Sequence, residues 1–258
     1  MIDKKTGLWI YNKMHEIRDF EETAYKLFLE NKLWGSVHMY TGEEAVASSI
    51  CAQLTDQDYI ASTHRGHGHC IAKGAELDKA LSELMGKDTG YCKGRSGSMH
   101  IADFTKGNLG ANAIVGGGIP IATGGALALK MQNKPNVAVA FFGDGASNQG
   151  TFHESINMAA VWKLPCIYVV ENNQFGMTVP VWQSTSVKDI SVRGAAYGIP
   201  GETVDGNDVV AVYDAFARAK ERALKGEGPS IIECKTYRWR GHWTGDPEVY
   251  RTREDVED

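Results

Sequence analysis

Two short apolar runs, residues 137–142 (VAVAFF) and 166–170 (CIYVV), leave this chain few architectures. Both are too short for buried helices, both are rich in β-branched and aromatic side chains, and each closes on a polar turn, which is the pattern of strands buried on both faces. Residues 151–162 between them have helical character. A strand–helix–strand unit of this kind requires a parallel pairing and a right-handed crossover. Further on, Asp208 can cap a helix over 209–225 closed by Gly226, and residues 230–236 (SIIECKT) read as a third strand. The alternation predicts an α/β, doubly wound fold with a mostly parallel sheet. At 258 residues the chain suits one large domain spanning 1–258.

The N-terminal part reads differently. Ile10, Met14, Ile17, Phe20, Ala24, Leu27 and Phe28 recur at the spacing of an amphipathic helix near 9–31, with Gly35 beyond its end. Thr41-Gly42-Glu43-Glu44 matches the capping-box pattern ahead of a second helix over 45–54. The stretch from there to the first strand shows little periodicity and contains THRGHGH, CKGRSGSMH and GANAIVGGG. A loop of that length inside a compact domain is usually functional.

Composition excludes several classes. A net charge of −5 gives no basic footprint for nucleic acid, and no apolar run approaches the roughly 18 residues of a membrane span. The N-terminus lacks an apolar signal core, and Cys51, Cys70, Cys92, Cys166 and Cys234 are scattered without a C-x-x-C pair. These features predict reduced thiols in a cytoplasmic protein.

The chemistry concentrates where the strands end. Gly143-Asp144-Gly145-Ala146 follows the first strand and leads into the helix, so small residues let backbone N–H groups approach an anion at a helix N-terminus. Asp144 offers the hard oxygen that Mg²⁺ prefers. The next strand ends in Glu171-Asn172-Asn173-Gln174-Phe175. In a parallel sheet both strand ends emerge on one edge, which brings Asn173 to Asp144. Gly-Asp-Gly alone is a common turn and Asn-Asn often only caps a helix. Both together, each closing a buried strand, are far more specific. Gly116-Gly117-Gly118 lacks the spacing and the preceding strand of a dinucleotide loop.

GDG followed at this distance by NN is the thiamin-diphosphate signature. The surrounding text, GDGASNQGTFHESINMAAVWKLPCIYVVENNQFGM, resembles the alpha subunits of the 2-oxo acid and acetoin dehydrogenase complexes, from about Gly35 to Arg253. The resemblance implies the pyrophosphate-binding domain of the thiamin-diphosphate fold, here with an N-terminal helical extension. It also implies a site. Asp144, Asn173 and the carbonyl of Phe175 would bind Mg²⁺, the backbone N–H groups of Gly145 and Ala146 would meet the diphosphate, and Arg65 would pair with it. His64 stands where many pyruvate-specific relatives have Tyr. Ala113 and Val115 match the stretch beneath the aminopyrimidine ring, with the Val115 side chain propping the bent cofactor. His242, in Tyr237-Arg238-Trp239-Arg240-Gly241-His242-Trp243, corresponds to the catalytic histidine of the family's active-site loop, with His67 and His100 as weaker candidates for the same pocket. Trp243 takes the place of a serine that is phosphorylated in animal pyruvate dehydrogenase alpha subunits.

The same resemblance implies cleavage of acetoin or a 2-oxo acid on thiamin diphosphate, with the fragment passed to a lipoyl group on a second component. The glutamate that activates the cofactor would come from a beta subunit in an α2β2 heterotetramer, so the alpha chain alone is expected to be inactive. The loops THRGHGHCIAKG and GSMHIADFTKGNLGANAIVGGG favour acetoin, with pyruvate as the alternative and branched-chain 2-oxo acids behind it. A binding-only paralogue and the N-terminal half of a transketolase-like enzyme are the rivals of other kinds. Relatives are expected to continue for several dozen residues past a TREDVED-like stretch.

Overall fold

The computed structural model describes residues 2–257. In chain order it contains α1 (Lys4–Leu29), α2 (Glu44–Cys51), β1 (Tyr59–Ala61), α3 (His67–Ala72), α4 (Leu77–Leu84), α5 (Gly118–Met131), β2 (Ala138–Gly143), α6 (Gly150–Val161) and β3 (Cys166–Asn172). A small antiparallel pair follows, β4 (Phe175–Gly176) with β5 (Val179–Pro180), then α7 (Val181–Ser184), β6 (Gly201–Asp205), α8 (Val209–Leu224), β7 (Ser230–Lys235) and α9 (Glu254–Glu257).

Five strands form one parallel sheet in the order β1-β2-β3-β7-β6. Its central strands carry continuous apolar runs because both faces are covered. Ala138, Ala140 and Phe142 of β2 point to a cluster containing Ile119, Ala122 and Leu129 of α5 with Phe152 and Ile156 of α6. Val139 and Phe141 point the other way, onto Val46 and Ile50 of α2 with Val212 and Phe216 of α8. The period of two thus feeds two cores from one strand. This is the doubly wound arrangement expected. α8 begins at its expected cap, with the Asp208 carboxylate accepting from the Val210 and Ala211 N–H groups.

A third core lies beside the sheet, where Ile17, Phe20 and Ala24 of α1 pack with Tyr40, Ala72 and Leu84. The apolar stripe of α1 holds one charged residue, Glu21, which is fully buried and pairs with His67.

Two expectations need correction. The expected capping box does not form: helix α2 starts at Glu44, and the Glu44 carboxylate accepts the Gly42 N–H at 3.0 Å, while the buried Thr41 hydroxyl has no partner. The long stretch expected to be irregular holds β1, α3, α4 and α5. Helix α5 escaped detection because its exposed face carries Pro120, Ile121, Gly124 and Met131, so it lacks a polar face of regular period.

Candidate functional site

β2 and β3 pair so that Gly143 lies opposite Glu171. Asp144 follows Gly143 directly and Asn173 follows Glu171 by two positions, so both emerge at the same carboxyl edge, where ligands bind in open α/β sheets. A cavity of about 310 Å³ opens there, reached also by residues 62–65, by Asn112, by residues 114–116, by Gly118 and by Arg238 and His242.

At its floor the Asp144 carboxylate is 1% exposed, and its Oδ2 has no partner. Burial pushes this carboxyl up to about 6. A buried carboxylate without compensation calls for a cation. The backbones of Gly145 and Gly176 meet beside it; a Cβ on Gly145 would lie 3.3 Å from the Gly176 Cα, a tight contact that glycine avoids. The turn's first internal bond runs from the Ser147 N–H to the Asp144 carbonyl at 3.1 Å, which leaves the Gly145 and Ala146 N–H groups ahead of it for a ligand. Asn173 is oriented from behind. Its amide Nδ2 donates to Glu43 Oε1 at 3.0 Å, and its Oδ1 accepts only a long bond of 3.4 Å from the Phe175 N–H. Burial, and then Glu171 nearby, pushes the Glu43 carboxyl up to about 8, so it is protonated at neutral pH.

Two buried guanidinium groups line the same cavity. Arg65 donates to the Met39 carbonyl at 2.8 Å and to the His242 carbonyl at 2.7 Å, with a longer contact of 3.2 Å to His242 Nδ1. Burial, then Arg238, draws its pKa down to about 10, so it remains charged. Arg238 reaches the carbonyls of Met177 at 3.0 Å and Phe175 at 3.4 Å, the Tyr250 hydroxyl at 2.7 Å and the Arg240 carbonyl at 3.2 Å. Among the described residues these partners are all neutral. Two buried cations held only by neutral groups create a strong demand for an anion, and their planar forks suit phosphate oxygens.

His242 arrives on the segment after β7. The Trp239 N–H donates to the Thr41 carbonyl and the Thr244 N–H to the Val37 carbonyl, docking this segment on the residues before α2. Gly42 sits beneath it with φ of 101°, and a Cβ there would lie 2.3 Å from the Tyr237 carbonyl oxygen. The His242 N–H donates to the Asp246 carboxylate at 2.7 Å. The His242 ring meets two others, His38 at 5.1 Å and His64 at 5.4 Å between centroids, and those two are 4.9 Å apart. Burial first, then Arg65, holds all three below the usual histidine range, His38 to about 3 and His242 to about 4. All three rings are neutral at pH 7.

The structure thus gathers His64, Arg65, Val115, Asp144, Gly145, Ala146, Asn173, Phe175 and His242 around one cavity. Ala113 lies between two lining residues, Asn112 and Ile114, without lining it itself. His67 is corrected: its side chain is fully buried away from the cavity, with Nδ1 on Glu21 at 3.1 Å and Nε2 on Ser98 at 2.9 Å, so it fastens α3 to α1. His100 is exposed and does not reach the cavity. Sequence reasoning missed Arg238, His38 and Glu43. It also missed a buried chain in which cavity-lining Ser62 bonds His69 Nδ1 at 2.8 Å, while His69 Nε2 and the Tyr40 hydroxyl both meet Glu171. Only the arginine in YRWR, beside the histidine already singled out, carried a usable signal.

Residues 12–258 match the family described as Dehydrogenase E1 component. Across 254 residues the chain is 55% identical to the alpha subunit of acetoin:2,6-dichlorophenolindophenol oxidoreductase of Bacillus subtilis, covering 98% of this chain and 76% of that protein. The Cupriavidus necator protein of the same name is 50% identical, covering 100% and 77%. A pyruvate dehydrogenase E1 component subunit alpha from Porphyra purpurea is 42% identical, covering 99% and 76%.

Proposed function

Since this chain belongs to the dehydrogenase E1 component family, we propose that it is the alpha subunit of a thiamin-diphosphate- and Mg²⁺-dependent enzyme that cleaves acetoin and passes the fragment to a lipoyl group. The observation that carries the reading is the cavity's charge arrangement: two buried guanidiniums held by neutral groups beside one buried carboxylate with an unpartnered oxygen. An anionic diphosphate with its metal ion satisfies both at once.

Asp144 would supply a hard oxygen to Mg²⁺, and Asn173 would add its amide oxygen, kept toward the ion because Glu43 holds the amide nitrogen. The Phe175 carbonyl is the third protein ligand in this reading; Arg238 engages it only at 3.4 Å. Arg65 and Arg238 would face the diphosphate, and the Gly145 and Ala146 N–H groups would donate to it. Ala113 and Val115 would seat the aminopyrimidine. Bound there, thiamin diphosphate would supply the carbon nucleophile and electron sink for breaking a bond next to a carbonyl. His242, neutral at pH 7 and beside Arg65, would hold or move a proton at its ring nitrogens.

A partner chain fits the cavity's rim. Ile114, Val115 and Met177 line the cavity yet are 74%, 46% and 59% exposed, as expected for a face that a beta subunit covers. Asp144 is the one carboxylate among the described lining residues, which leaves the cofactor-activating glutamate to that subunit. We read residues 1–258 as one pyrophosphate-type domain with a helical extension, working as α2β2 with a lipoyl-bearing second component. Among the described residues no helix is long and apolar enough to cross a membrane, and all five cysteines are free, which fits a cytoplasmic complex.

Pyruvate is the second reading, supported by relatives at 40–43% identity named for it. The test is turnover of the chain with its beta subunit, thiamin diphosphate, Mg²⁺ and an artificial electron acceptor, comparing acetoin and pyruvate. Preference for acetoin upholds the proposal. Preference for pyruvate replaces the substrate, and no turnover with either despite bound cofactor overturns the acetoin reading in favour of a different substrate or a binding-only paralogue.

A further inference from the structure

The segment that carries His242 hangs on few main-chain bonds. Among the described residues its backbone meets the rest of the chain twice, through the Trp239 N–H on the Thr41 carbonyl and the Thr244 N–H on the Val37 carbonyl. Arg65 and Arg238 reach its carbonyls from the cavity, and helix α1 holds its side chains. Arg18, Glu22 and Tyr25 of α1 stand at i, i+4 and i+7, so they form one stripe beside the apolar one that builds the third core. The Arg18 guanidinium lies 4.2 Å from the centre of the Trp239 ring, and its Nε donates to Glu44 Oε1 at 2.6 Å. The Arg240 guanidinium lies 4.1 Å from the centre of the Tyr25 ring, and its Nη2 donates to Glu22 Oε2 at 2.7 Å. Two cation–aromatic pairs thus cross one contact in opposite senses: α1 supplies the cation to Trp239 and the ring to Arg240.

We propose that Trp239 and Arg240, gripped by Arg18, Glu22 and Tyr25 of α1, are positioning residues that fix the place of His242 at the cavity. The role rests on the reading of His242 as the proton-handling group of the reaction; it adds that α1 takes part in turnover without touching cofactor or substrate. Arg240 stands two positions before His242, and the residues between and after it are tightly coupled. A Cβ on Gly241 would lie 2.8 Å from the Asp246 Cβ, and the Asp246 carboxylate accepts the His242 N–H at 2.7 Å, so a shift at Arg240 carries His242 with it. Such a shift matters because misplacing a reacting group by about 1 Å can cost about 100-fold in rate. The anchor is unlike a core contact. The Arg240 and Glu22 side chains are 34% and 36% exposed. Contacts of this kind are individually weak at exposed positions, so they add little to global stability and act on local opening of the segment.

The test uses the full chain assembled with its beta subunit, thiamin diphosphate and Mg²⁺, and compares Arg240→Ala, Arg240→Lys and Glu22→Gln with the wild type. Arg240→Ala should lower kcat by about 10- to 100-fold while the thiamin diphosphate Kd stays within about 3-fold and the melting temperature within about 2 °C. Arg240→Lys keeps a cation for Glu22 and Tyr25 and should retain most of the rate. Glu22→Gln, on the exposed side of α1, carries little folding risk and should fall between the two. Chymotryptic cleavage after Trp239 and Trp243 gives a readout that needs no turnover: the Arg240→Ala segment should be cut at least about 5-fold faster than the wild type. A complex that turns over no substrate would sink the enzymatic reading, and the cleavage rates would still decide whether Arg240 fastens the segment. Wild-type kcat and wild-type cleavage in the Arg240→Ala complex would overturn the proposal. So would equal losses of rate in Arg240→Ala and Arg240→Lys with a lowered melting temperature, the pattern of a residue needed only for folding.

Discussion

The two ends of the cavity are built on different principles. The Asp144–Asn173 end hangs from two adjacent strands in fixed register, so the parallel sheet sets where its backbone lies and Glu43 orients the Asn173 amide. The His38–His64–His242 end is assembled from three loops, and it depends on contacts such as the Thr244 N–H on the Val37 carbonyl. One end is charged and hard, with a buried carboxylate lacking a partner; the other is a set of neutral rings. A rigid end can hold a cofactor's anion and ion, while a loop-built end can present side chains to the part that reacts.

Substitutions at the two ends should therefore separate binding from turnover. Asp144→Ala should abolish Mg²⁺-dependent binding of thiamin diphosphate to the assembled complex, measured by calorimetry; unchanged affinity would remove the metal ligand from the rigid end. His242→Ala should slow turnover by about 100-fold or more, the usual scale for a proton-handling group, while cofactor affinity stays within a few-fold. If steady-state rates with the mutant equal those of the wild type, the loop-built end has no catalytic part.

Acidity offers a third, smaller separation. Asp144 titrates at about 6, above the usual carboxylate range, because burial disfavours its charged form. The metal binds the ionised carboxylate, so Mg²⁺ affinity should be steady above about pH 6 and fall about tenfold per unit below it. Without metal the sign is opposite for stability. The folded chain binds this proton more tightly than the unfolded one, so the contribution of Asp144 to stability is lost as pH rises through 6. A metal affinity flat down to pH 4.5 would contradict this assignment. The smallest effect concerns the group behind Asn173. Glu43 is protonated at pH 7, so Glu43→Gln should be nearly neutral in thermal melts, while Glu43→Ala unpairs the Asn173 amide and costs about 1–3 kcal/mol.

The same contrast explains what could be read in the sequence. Strands β2 and β3 announced themselves because burial on both faces gives each a continuous apolar run, AVAFF and CIYVV, and the residues at their ends followed by register. β1 has only three residues, and β6, an edge strand of sequence GETVD, is half exposed, so neither left a pattern. Arg238 acts through carbonyls more than 60 positions earlier, and Glu43 was read as part of a helix start although its carboxyl serves Asn173. His67 stands three positions after His64 in the same THRGHGH run, but it lies on α3, which turns it toward Glu21. Short range patterns find elements and turns; they do not report which side of a helix faces a cavity.

The most direct test of the central claim is binding of thiamin diphosphate to the wild-type complex with its beta subunit, followed first in Mg²⁺ and then after the metal is chelated. The structure predicts saturable binding at one cofactor per alpha chain that is lost on chelation and restored by adding Mg²⁺. Binding that ignores the metal, or no binding with it, would contradict the assignment of this cavity.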